Sequence, residues 1–179
     1  MRPSTEAVDR VRDGLRAATT LLVLAGLGCA SPHGTPSESS AVAGIPVDAV
    51  ELPTEELLSF GPSGIADSRR IVIRSASEWG RFWDEAHGSI VPRPEPPEVD
   101  FSRSMVLAAA MGGRRTGGYS ISIPSVRHEG SEVYAVVRAV SPGPTCFTTQ
   151  AFTAPVVAIR VPLLEGPVRW LDDEVQREC

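Results

Sequence analysis

From Met105 onward, apolar and polar positions follow the two-residue period of β-strands. Met105 to Met111 (MVLAAAM) is a continuous apolar run suited to a buried central strand. Tyr119, Ile121 and Ile123 alternate with Ser120 and Ser122, the pattern of a strand with one buried face. His128-Glu129-Gly130 signals a hairpin turn, and Val133 to Val140 reads as its return strand. Ser141 to Pro144 (SPGP) breaks the chain, after which Val156 to Val161 (VVAIRV) and Val168 to Leu171 close the sheet. Upstream, Ile71-Val72-Ile73 is β-branched and strand-like. Val47 to Phe60 reads as the entry to the domain, with room for one strand before the turn Gly61-Pro62-Ser63-Gly64.

One segment has the helical period instead. Trp79, Phe82, Trp83 and Ala86 fall at i, i+3, i+4 and i+7, which places them in a single stripe. Ser75-Ala76-Ser77-Glu78 is a capping box that starts the helix, and Gly88 stops it. An aromatic stripe of this kind predicts a face packed on a sheet rather than a ligand box. Pro92 to Pro97 (PRPEPP) must be an extended connector, because proline suits neither helix interiors nor central strands. The pattern predicts an α+β, β-rich domain: a mainly antiparallel sheet or β-sandwich-like fold with one amphipathic helix packed on it.

The first residues are of another kind. Arg2, Arg10, Arg12 and Arg16 against Glu6, Asp9 and Asp13 make a weakly basic start, followed by the uncharged Ala17 to Leu27 (AATTLLVLAGL). That run is shorter than the roughly 20 residues a membrane span needs, but it has the length of a signal-peptide core. Gly28-Cys29 resembles the lipobox of bacterial lipoproteins, with Gly26 where that pattern prefers Leu. Residues 1–28 are accordingly expected to be a signal peptide, Cys29 the lipidated residue and 29–46 a tether rich in Ser, Pro and Gly. The folded domain then spans 47–179. The protein is expected in the cell envelope of a bacterium, held to a membrane by lipid; secretion or periplasmic release without lipid is the alternative.

Cysteine usage is consistent with export. With Cys29 lipidated, Cys146 and Cys179 remain as an even pair, either bridged or left as free thiols. The net charge of -5 disfavours nucleic acid, whose phosphates select a cationic surface. All 17 basic residues are arginine, a mark of GC-rich coding.

Catalytic chemistry finds little support. The histidines are His33, His87 and His128, and no Gly-x-Ser-x-Gly elbow is present. Neither a His pair at i, i+4 nor a close Cys pair suggests a metal, and no cofactor motif appears. Asp172, Asp173 and Glu174 read as a solvated tail. The most unusual segment is Gly112 to Tyr119 (GGRRTGGY), read as a flexible hairpin tip carrying two guanidinium groups and a ring. Gly117 and Gly118 imply positive φ or close approach to another chain, while Arg and Tyr are common at protein interfaces. A permissive turn with solvated arginines is the competing reading.

Several of these pieces together resemble the PrcB C-terminal domain family. They are Ser63-Gly64-Ile65, Ile71 to Arg74, Glu78-Trp79 with Phe82-Trp83 and His87, and Val99-Asp100-Phe101. Thr116-Gly117-Gly118-Tyr119, Pro142-Gly143-Pro144, Thr149-Gln150 and Pro155 to Pro162 complete the set. The resemblance implies an accessory subunit of an exported protease complex: a lipoprotein whose partner is a protein, with no catalytic residues carried over. Arg114, Arg115, Thr116, Gly117, Gly118 and Tyr119, with Gln150, are the expected partner-binding residues. A direct protease inhibitor using the same loop, and an enzyme of unrecognised type, are the alternatives.

Overall fold

A computed structural model describes residues 44–88 and 90–179. The predicted signal peptide, Cys29, His33 and the tether as far as residue 43 lie outside the described residues. In chain order the elements are β1 (Val50–Glu51), β2 (Glu55–Phe60), β3 (Arg69–Ile73), α1 (Ala76–Ala86) and β4 (Ser104–Ala110). β5 (Ser120–Glu129), β6 (Glu132–Pro142), β7 (Val156–Pro162) and β8 (Val168–Arg177) follow. Two four-stranded sheets result, ordered β1-β5-β6-β8 and β2-β7-β4-β3. The ladders are antiparallel except β6 with β8, which run parallel. The fold is the expected β-rich α+β sandwich.

Alternation decides which residues fill the space between the sheets. Met105, Leu107 and Ala109 of β4 and Val157, Ile159 and Val161 of β7 meet Ile121, Ile123 and Val126 of β5 and Val133, Ala135 and Val137 of β6. The opposite face of β4, Val106, Ala108 and Ala110, is covered by Trp79, Phe82, Trp83 and Ala86 of the helix. Both faces of β4 are therefore buried, which is why its sequence runs apolar without alternation. Its alanines leave room for the indoles above them.

The helix begins as its capping box predicts. Ser75 Oγ accepts the Glu78 N–H at 3.3 Å. The Glu78 carboxylate reaches back further than expected, accepting the Arg74 N–H at 3.0 Å and the Ser75 hydroxyl. The proline connector has a structural role as well. Its carbonyls at Pro97 and Pro94 accept the indole N–H groups of Trp79 (3.0 Å) and Trp83 (2.7 Å), so neither buried ring leaves a donor unpaired.

Three expectations are corrected. Val47 to Phe60 supplies two strands, and they enter different sheets: β1 pairs with β5 and β2 with β7. Residues 112–119 are no hairpin tip, because β4 and β5 belong to different sheets and this segment crosses between them. Asp172, Asp173 and Glu174 are not a tail. They lie within β8, where Asp172 pairs with Arg70 and Asp173 with Arg138, each at 2.7 Å. The alternation of β8 is masked by charge because Asp173 meets Arg138 of the neighbouring strand β6 while Asp172 meets Arg70 of β3 in the other sheet.

Candidate interaction face at the loop end of the sandwich

The crossover 112–119 is held by its neighbours rather than standing free. Arg114 N–H donates to the Thr153 carbonyl at 2.7 Å, and Thr153 N–H returns the bond at 3.0 Å. Gly113 N–H donates to Ala66 (2.9 Å), Gly117 N–H to Thr149 (2.9 Å) and Thr153 Oγ1 to the Thr116 carbonyl (2.9 Å). On the far side Ser63 Oγ donates to the Ala154 carbonyl at 2.6 Å, and Ala154 N–H donates to Gly61 at 2.7 Å. Three segments, 61–66, 112–119 and 142–154, thus form one end of the sandwich. They contain Ser63-Gly64-Ile65, Thr116 to Tyr119, Pro142 to Pro144 and Thr149-Gln150, pieces that are scattered along the sequence.

A covalent brace completes this end. Cys146 and Cys179 are joined by a disulfide with their Cα atoms 5.0 Å apart, and Gly143 N–H donates to Arg177 at 2.9 Å. The last strand is therefore tied to the 142–154 loop.

The predicted binding residues fall into different environments. Arg115 and Gln150 are exposed, and no carboxylate among the described residues lies within ion-pair distance of Arg114 or Arg115. The Arg114 guanidinium sits over the Tyr119 ring, 5.6 Å from its centroid, a cation–π arrangement that orients both groups. Tyr119 itself is half-buried against the inter-sheet core. Gly117 approaches another segment of its own chain: an added Cβ would run into the Thr149 side chain. Gly118 takes φ +88° between Pro142 and Thr148, a conformation glycine adopts without strain.

Sequence reasoning missed two residues of this face. Phe147 and Phe152 are 106% and 81% exposed, respectively. A signal was available: from Ala139 to Ile159 the chain carries no charge at all, although its middle lies in a loop.

A cleft of about 200 Å³ between the sheets is lined by Ser68, Arg70, Arg114, Tyr119, Ser141 and Glu174, among others. Arg70 is already committed to Asp172 and to the carbonyls of Arg69 and Ala110. His87 lies under the helix, donating from Nδ1 to the Trp83 carbonyl at 3.0 Å with its ring against Phe60 and Trp83. His128 Nδ1 bonds to the Gly130 carbonyl in the hairpin turn. Neither histidine adjoins the cleft. Among the described residues no group of three or more His, Cys, Asp or Glu could hold a metal ion, and no helix is long and apolar enough to cross a membrane.

The family model described as PrcB C-terminal matches residues 105–162. That segment runs from β4 to the end of β7 and includes the 112–119 crossover and the 142–154 loop. No curated protein and no solved structure matches the chain.

Proposed function

We propose that the chain is a non-enzymatic accessory subunit of an exported protease complex, binding its partner through the loop end of the sandwich, a reading supported by the similarity of residues 105–162 to the PrcB C-terminal family model. The observation that carries this reading is the convergence of 61–66, 112–119 and 142–154 into one exposed face braced by backbone hydrogen bonds and the disulfide. Such bracing lowers the ordering cost of association. Arg115 and Gln150 are its exposed polar contacts, and Arg114 lies beside them. A lipid on Cys29, with 29–46 as tether, would hold the domain near a membrane-associated protease at raised effective concentration.

The test is capture of the protease from envelope extracts. Arg115→Glu combined with Gln150→Ala should abolish capture while leaving thermal unfolding unchanged. Tyr119→Ala is unsuitable, since that ring packs against the core. Unchanged capture by the double variant would remove the proposal, and dose-dependent inhibition of the captured protease would replace it with the inhibitor reading. Cys29→Ala should release the protein from the membrane fraction; unaltered retention would remove the anchor.

A further inference from the structure

Phe147 and Phe152 are the largest anomaly on the surface. Both rings are exposed, with no cover from the described residues, and both belong to a stretch without a single charge. They are not carried by a slack segment. Between them Thr149 accepts the Gly117 N–H, Thr153 is paired with Arg114 immediately after Phe152, and Cys146 is bonded to Cys179 immediately before Phe147. Phe152 also forms one wall of an open groove of about 370 Å³ whose lining, including Pro62, Ile65, Ala66, Gly113 and Ala154, contains no ionisable side chain.

We propose that Phe147 and Phe152 are the anchors of the interface, entering apolar pockets on a partner protein while an uncharged, extended segment of that partner lies along the groove beside Phe152. This rests on the protein-binding reading above and moves its centre from the arginines to the phenylalanines. Charge complementarity selects the occupant. An apolar groove and an uncharged loop demand an uncharged centre in the partner, since burying an unpaired charge there is costly. The residues that flank the groove lining in sequence are of mixed sign, Arg114 and Arg115 following Gly113 and Asp67 following Ala66. Anionic headgroups select clustered cations, so this mixture favours a protein surface over a lipid one. Aromatic anchors pre-held in a rigid loop also match the residues that dominate binding energy at protein interfaces.

The test places a photoreactive benzoylphenylalanine at 147, 152 or 115 of the full chain in its own cells, with exposed Val47 as a control position. Irradiation at 147, 152 and 115 should give one and the same exported protein, identified by mass spectrometry, with attachment from 147 and 152 on apolar residues. Position 47 should give none of it. Phe147→Ala should reduce the adduct formed from position 152 by about tenfold or more, the effect of losing an anchor, without shifting thermal unfolding of the purified protein. Adducts from 115 but not from 147 or 152 would overturn this inference and leave the subunit reading standing. Lipid adducts, or a covalent dimer of the chain, at 147 and 152 would overturn it in favour of a membrane contact or self-association. Absence of any protein adduct at all three positions would overturn both.

Discussion

Removing the Cys146–Cys179 bridge should cost the domain about as much stability as a large core truncation. The cysteines are 33 positions apart in sequence. On the chain-entropy model a closed loop of that length restricts the unfolded chain by about 12.5 cal/mol/K, or roughly 3.7 kcal/mol at 25 °C. That figure applies in full only if the folded state is unchanged without the bond. The structure supplies the reason to expect so: β8 stays paired with β6 as far as Arg177 opposite Pro142, and Gly143 N–H holds the Arg177 carbonyl. Cys146→Ser with Cys179→Ser, and reduced wild type, should therefore unfold alike in urea, each less stable by about 3–4 kcal/mol. The thermal midpoint should fall by roughly 10 °C for a domain of this size. A loss below about 1 kcal/mol would refute the reasoning, because it would mean that the tail and the 142–154 loop already fray independently of the rest. Hydrogen exchange confined to those segments would then identify the fraying unit.

Other substitutions test separate parts of the structure. Ser75→Ala removes the acceptor for the Glu78 N–H and should destabilise the protein by about 1 kcal/mol in denaturant melts. The Arg74 N–H and then the Ser75 hydroxyl hold the Glu78 carboxyl below its ordinary value of 4.5, so its stabilising charge is present above that pH and lost as pH falls through the lowered value. The stability gap between wild type and Glu78→Gln should accordingly be flat near neutrality and close in acid; a gap that widened on acidification would contradict the assignment. Trp83→Phe leaves the Pro94 carbonyl without its indole donor, and a loss of about 1–2 kcal/mol is expected in urea unfolding. Gly118→Ala strains a positive-φ residue wedged between Pro142 and Thr148, so it should cost about 1–2 kcal/mol and weaken partner capture as well.

The elements that sequence made legible are those whose burial is one-sided or total. The helix declared itself through Trp79, Phe82, Trp83 and Ala86, and β4 through an apolar run that only a doubly covered strand can tolerate. The C-terminal half of β8 was obscured because Asp172 and Asp173 satisfy their charge on Arg70 and Arg138, partners far away in the chain. Residues 112–119 carried the right kind of signal with the wrong geometry. Their glycines do mark close approach, but to Thr149 and Pro142 of the same molecule. Whether β4 and β5 share a sheet depends on pairings with β3, β6 and β7 that local pattern does not encode. Phe147 and Phe152 escaped notice because an aromatic residue in sequence is first a core candidate; only the fold shows that no described residue covers them.

The disulfide also dictates where the molecule can be handled. Cys179 is fastened beside Phe147, so any tag or fusion placed after it emerges at the edge of the proposed contact face and competes with a partner for the same space. The β5–β6 hairpin offers a better attachment point. Glu129 pairs with Glu132 there, at the end of the ladder opposite Ser120 and Val140, and Gly130 has open space around it. An epitope inserted at Gly130 would leave the loop end unobstructed, and comparing the two tag positions in one capture experiment would show which end of the sandwich the partner occupies.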